Sequence, residues 1–110
     1  MKDSDSEHTK TAMRRGMLEF CILLIISRGK VYATDILNIL KKADLLVVEG
    51  TLYPLLTRLK TDTLLEYTWE ESKSGPPRKY YTLTAQGEGY LTDLKATWKS
   101  LIESINTLIK

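Results

Sequence analysis

Between Ser72 and Lys79 the chain sets Lys73, Arg78 and Lys79 around Gly75-Pro76-Pro77 with no acidic residue among them. Elsewhere charge is mixed, as in residues 1 to 30, which hold six basic and four acidic groups. Uncompensated cations beside a turn are suited to neutralising and hydrogen-bonding anionic oxygens. A second group lies upstream, in Glu49 to Lys60. There Leu52, Leu55, Leu56 and Leu59 recur at the i, i+3, i+4, i+7 spacing of one buried helical stripe. Thr51, Tyr53, Pro54, Thr57, Arg58 and Lys60 are left pointing outward. A polar, aromatic and basic outer face on a short core-anchored helix suits a DNA groove, although an ordinary amphipathic helix has the same pattern.

The elements that must position these groups follow from periodicity. A first helix is expected from about Ala12 to Ser27, closed by Arg28-Gly29-Lys30. Met13, Met17, Phe20, Cys21 and Leu24 line one of its sides, while Leu18, Ile22, Ile25 and Ile26 spread onto others, so this helix should contact more than its own core. A second helix starts at Thr34 or Asp35, holds Ile36, Leu37, Ile39 and Leu40, and ends at Lys41-Lys42, where cations suit the helix dipole. The Glu49 helix is third and ends near Asp62. Leu65, Tyr67 and Trp69 then alternate with Glu66, Thr68 and Glu70, the period of a strand buried on one face. Arg78 to Leu83 can pair with it, leaving Ser72 to Pro77 as a loop with a basic tip. Helix, helix, helix, strand, basic loop, strand is the order of a winged helix-turn-helix domain.

The segment from Ala85 to Lys110 reads as one helix of up to 26 residues, roughly 39 Å long at 1.5 Å per residue, with Thr84 as its N-cap. Leu91, Leu94, Trp98, Leu101, Ile105 and Leu108 alternate by three and four, a heptad seam that Ile102 and Ile109 widen. So long a stripe exceeds what a small winged domain can cover, and a second copy of the chain can cover it. The expected organisation is a tail over residues 1–11, a winged-helix domain over 12–84 and a dimerisation helix over 85–110. The fold class is mainly α, of the α+β kind.

Composition sets bounds. The 110 residues suit one domain, and the formal charge of +2 is too small to mark a nucleic-acid binder by itself. Cys21 is the only cysteine, which excludes an internal disulfide and points to a reducing, cytoplasmic setting. The apolar run from Met17 to Ile26 is interrupted by Glu19 and falls well short of the roughly 20 residues needed to cross a bilayer. An enzyme is the poorest reading: the single histidine, His8, lies in the expected tail, and neither a phosphate-cradling glycine loop nor metal-ligand spacing is present. No catalytic residue, cofactor or metal is expected.

Glu49-Gly50-Thr51-Leu52-Tyr53-Pro54, then Arg58-Leu59, Leu64-Leu65, Trp69-Glu70-Glu71 and Pro77-Arg78-Lys79-Tyr80-Tyr81-Thr82-Leu83-Thr84, resembles the PadR family of bacterial transcriptional regulators over about residues 14 to 105. The resemblance implies a homodimeric winged-helix repressor of the compact kind, its interface formed by the long C-terminal helix with the first helix. Four positions depart from the family pattern: Thr63 stands where a glycine commonly follows the recognition helix, Ala33 and Thr34 stand near a usual Gly-Tyr, and Val48 replaces a polar cap.

Under this reading Thr51, Tyr53 and Pro54 approach bases and flanking phosphates of double-stranded DNA. Arg58 and Lys60 are phosphate ligands, and Lys73, Arg78 and Lys79 make the wing contacts. The expected dimer interface comprises Leu18, Ile22, Leu91, Leu94, Trp98, Leu101, Ile105 and Leu108. Some regulators of this kind are thought to take up planar aromatic inducers between subunits, which makes Trp98, with Met13 and Met17, a candidate ligand site. The competing reading is a winged-helix dimeric interaction module that does not read DNA, and the modest net charge is its best support.

Overall fold

Apolar residues around most of its circumference force the first helix into the middle of the fold. In a computed structural model, which describes residues 17–110, helix α1 (Leu18–Ile26) buries Leu18, Ile22, Leu23, Ile25 and Ile26. The expected tail, Met13 and the first turn predicted from Ala12 lie outside the described residues. Ser27 ends α1, its hydroxyl donating to the Leu24 carbonyl at 2.6 Å, and Gly29 takes a φ of +144° that side chains rarely adopt. The chain then passes through Val31, which exchanges two backbone hydrogen bonds with Tyr81, at 3.3 and 2.7 Å.

Helix α2 (Ala33–Lys42) begins earlier than expected. Tyr32, not Thr34 or Asp35, is the N-cap, and Asp35 acts one turn in, where its carboxylate accepts from the Tyr32 N–H at 3.4 Å. Ile36 and Leu40 are its fully buried pair. Helix α3 (Glu49–Thr61) buries Leu52, Leu56 and Leu59, with Leu55 half-buried at the stripe's edge. Val48 precedes it in extended conformation with no side-chain cap, as the apolar substitution requires. Asp62 is the C-cap, and Thr63 adopts a φ of +64° in place of a glycine. A β-branched residue is strained there. Its hydroxyl lies 2.5 Å from the Asp62 carbonyl and 2.6 Å from Gln86 Oε1, contacts that offset the strain.

Strands β1 (Leu65–Ser72) and β2 (Gly75–Leu83) form an antiparallel hairpin with Leu65 opposite Leu83, Tyr67 opposite Tyr81, and Trp69 opposite Lys79. The turn is shorter than expected, because Pro76 and Pro77 belong to β2. Between the pairs Glu70–Arg78 and Ser72–Gly75 the two prolines face Glu71 alone, a bulge in which their missing N–H groups are not needed. Ser72 also donates its hydroxyl to the Pro76 carbonyl at 3.0 Å.

Helix α4 (Ala85–Ile109) is capped by Thr84, whose hydroxyl oxygen accepts from the Gly87 N–H at 2.9 Å while its proton goes to the Thr63 carbonyl at 2.6 Å. The core comprises the buried residues of α1, α2 and α3 with Leu65, Tyr81 and Leu91. Leu18, Ile22 and Leu91, expected at a dimer interface, lie buried in the chain's own core at 8%, 0% and 4% exposure. Past Leu91 the helix draws away from the core. Leu94 still leans on the core, whereas Trp98, Leu101, Ile105, Leu108 and Ile109 are exposed. No helix among the described residues is long and apolar enough to cross a membrane.

Candidate nucleic-acid interface

Because Tyr67 and Trp69 alternate along β1 and face Tyr81 and Lys79 on β2, one face of the hairpin is aromatic with a cation at its outer end. This face and α3 enclose a cleft of about 350 Å³, to which Tyr53, Thr57, Trp69, Pro77, Arg78 and Lys79 contribute, with Tyr32 and Thr34 from the start of α2. Helical spacing explains the α3 side, since Tyr53, Thr57 and Lys60 fall on one stripe.

Rings, not carboxylates, hold the cations. The Lys79 ammonium sits 4.5 Å from the Tyr67 ring and 5.3 Å from Trp69, the Lys60 ammonium is 5.3 Å from the same Tyr67, and the Arg78 guanidinium is 4.5 Å from Tyr32. Among the described residues Lys60, Lys73, Arg78 and Lys79 have no ion-pair partner. The cross-strand neighbour of Arg78 is Glu70, and Lys30 takes its carboxylate at 2.7 Å. Cations parked on aromatic faces keep their full charge and lie over a surface that excludes water on one side, so they attract a polyanion without first breaking an ion pair. Tyr81 lies below them. Burial, and then the nearby Tyr53 and Tyr67, push its phenol above the usual tyrosine range, keeping it neutral.

The sequence-predicted residues are thus divided. Tyr53, Arg78 and Lys79 meet in the cleft, with Lys60 at its flank. Thr51 and Pro54 are exposed on the adjoining strip of α3, and Lys73 is exposed at the hairpin tip. Pro54 has no N–H for the Gly50 carbonyl, one turn earlier, and a Cβ at Gly50 would meet nothing within 4 Å. Arg58 differs, because its guanidinium is bonded to Glu19 of α1. Sequence reasoning did not place Tyr32 or Thr34 at the cleft, and read Thr34 only as a helix start and Lys30 only as part of a helix end. The strand register would have disclosed the Lys79–Trp69 pairing, while Tyr32 carried no local signal.

A separate cavity of about 390 Å³ lies between α1 and α4, lined by Met17, Phe20, Cys21, Leu24, Lys95 and Trp98. Phe20 and Trp98 are tilted at 48° with centroids 6.2 Å apart. Met17 and Trp98, predicted together, do meet in this cavity. Burial pushes the Cys21 thiol above its ordinary value, a backbone hydrogen bond opposing.

Three core helices, a hairpin docked beside the third, and a long helix departing from the domain define a winged helix-turn-helix protein. The chain belongs to the PadR-like family of transcriptional regulators, whose family model matches residues 22–93. It is 57% identical to a PadR-like transcription factor of Bacteroides fragilis, with a TM-score of 0.77 over 92% of this chain and 98% of that one. A PadR family transcriptional regulator of Eggerthella lenta is 30% identical, with a TM-score of 0.87 over 98% and 95% of the two chains. Bacillus subtilis PadR, solved in complex with operator DNA, shares the fold at 23% identity and a TM-score of 0.66, over 71% of this chain and 45% of that one.

Proposed function

We propose that the chain is a homodimeric, sequence-specific repressor that places α3 of each subunit in the major groove of a pseudo-palindromic operator. The observation that carries this reading is the cleft between α3 and the hairpin, where Arg78 and Lys79, with Lys60 at its flank, stand against aromatic rings and, among the described residues, without an ion-pair partner. Thr51, Tyr53 and Pro54 approach base edges and flanking phosphates, Lys60, Arg78 and Lys79 neutralise the backbone that runs between α3 and the wing, and Lys73 reaches along the hairpin tip. That Bacillus subtilis PadR, which shares this fold, was solved in complex with operator DNA is in keeping with DNA binding here. One α3 presents few side chains, so the working unit is two copies with half-sites about 34–36 Å apart. The exposed Trp98, Leu101, Ile105, Leu108 and Ile109 face of α4 is what joins them.

Fluorescence anisotropy with labelled DNA from upstream of its own gene, against random DNA and at two salt concentrations, tests the reading. Preference for the upstream DNA is expected. Charge reversal of Lys73 and Lys79 should lower the slope of log affinity against log salt by about one unit per lost phosphate contact. Equal affinity for both DNAs would favour an interaction module, and an unchanged slope would remove the wing from the interface.

The cavity at Trp98 favours one addition. Its lining is apolar except for Lys95, so a planar aromatic compound can lie against Trp98 and Phe20, and preference for one arrangement of the subunits would let it release the operator. Titrating aromatics while following tryptophan emission in wild type and Trp69→Phe tests this, since Trp98 is then the sole emitter. Silence across a broad panel would refute it.

A further inference from the structure

Arg58 is the one cation of α3 that the free protein has already committed. Its guanidinium Nη2 is bonded to Glu19 Oε2, linking positions 39 residues apart on α3 and α1. The partners are unequally placed, with side-chain exposures of 56% for Arg58 and 27% for Glu19. Arg58 shares a helical strip with Thr51 and Pro54, seven and four positions earlier, and all three are exposed. We propose that Glu19 is an internal competitor for Arg58: a DNA phosphate must displace this carboxylate before the recognition helix can use its guanidinium. The proposal rests on the reading of α3 as the helix that meets DNA.

The two partners respond differently to an approaching phosphate. Glu19 is rooted between Leu18 and the Ile22–Leu23 pair, all buried, so its helix cannot follow Arg58. Arg58 ends a long flexible stem and can turn outward, and a partly exposed ion pair is weak enough to exchange. Exchange is not free, because it leaves a carboxylate uncompensated near the incoming phosphates. Lys60, Arg78 and Lys79 carry no such penalty, since their rings move no opposite charge toward the DNA. Glu19 therefore acts as a brake on affinity. It lowers the number of counterions that binding releases, because the liberated carboxylate recruits a cation as Arg58 displaces one.

Anisotropy titrations of the duplex preferred by wild type, from 50 to 200 mM salt, test this with Glu19→Gln, Arg58→Gln and the double variant. Glu19→Gln should bind more tightly, with a salt slope steeper by up to about 0.9, the value for one phosphate contact. Arg58→Gln should bind more weakly, with a slope close to that of wild type, because Glu19 already offsets the counterion that Arg58 releases. In the Arg58→Gln background the Glu19 substitution should change affinity less than about 1.5-fold, whereas alone its gain should be roughly 3-fold larger at 50 mM than at 200 mM, the salt dependence of one contact across that range. Circular dichroism checks folding, and should Glu19→Gln not fold, Glu19→Asp, one methylene too short to hold the pair, gives the same direction. An unchanged affinity for Glu19→Gln, or an equal gain with and without Arg58, overturns the brake while leaving DNA binding intact. Absence of DNA binding by wild type overturns both.

Discussion

Replacing Gly87 by alanine should destabilise the protein, although the same change in a helix usually does the opposite. An alanine in a helix interior is favoured over glycine by about 1 kcal/mol. At Gly87, however, an added Cβ would stand 2.1 Å from the Leu64 carbonyl oxygen and 3.0 Å from its carbonyl carbon, so α4 and the start of β1 must separate by roughly 1 Å. That carbonyl accepts from the Thr84 N–H at 3.1 Å, and such a displacement takes the bond past any useful length. Overpacking costs about 1–3 kcal/mol and the lost bond about 1. After the propensity gain the net destabilisation is about 1–3 kcal/mol, or roughly 4–8 °C in Tm for each kcal/mol. Gly89, two residues on, has nothing within 4 Å of its would-be Cβ, so Gly89→Ala should stabilise by about 0.5–1 kcal/mol. Urea titration followed by circular dichroism, at one protein concentration because association would contribute, compares the pair directly. A Gly87→Ala variant as stable as Gly89→Ala would refute the close-approach argument.

Thr84→Ala removes a hydroxyl that accepts from Gly87 and donates to Thr63; a loss of about 2 kcal/mol is expected in the same titration. Cys21, its thiol pushed up by burial, should react with iodoacetamide at pH 8 more slowly than free cysteine. Its rate should climb toward the free value only at higher pH or in urea. Leu101→Glu with Ile105→Glu places charge on the exposed seam of α4 and should give a folded monomer in sedimentation velocity, with an unaltered far-ultraviolet spectrum per residue.

Local patterns were legible where burial alone decides them. The leucine stripe of α3 is set by one buried face and the structure keeps it, whereas along β1 the expected buried face holds at Leu65, is partial at Tyr67 and fails at Trp69, which is 60% exposed at the outer end of the hairpin. Ownership of a buried residue was not legible. Leu91 and Leu94 continue the same three-four rhythm as Leu101 and Ile105, but α4 lies against its own domain only as far as Trp98, which meets Phe20, and periodicity does not say where a helix departs. Arg58 looked free because its partner is 39 positions away. Tyr32 was passed over as a cap because its side chain supplies no capping bond, the helix start being held by Asp35 instead. Prolines signal a turn so strongly that Pro76 and Pro77 were placed in one, and only the bulge opposite Glu71 makes room for them in a strand. Gly87 reads in sequence as a weak point of α4, whereas it is where the helix rests on the domain.

That resting point has a mechanical side. Helix α4 runs for 25 residues from its base beside Thr63, Leu64 and Thr84, which is roughly 37 Å of rigid rod. A swing of about 5° at the base carries the far end about 3 Å, close to the ~3.4 Å rise of one base pair along a strand. In a dimer joined through α4, the angular tolerance of a few hydrogen bonds around one glycine thus becomes the tolerance, in base pairs, with which two recognition helices keep step along DNA. A joint looser by a few degrees would accept operators of different spacing, and a stiffer one would accept a single spacing.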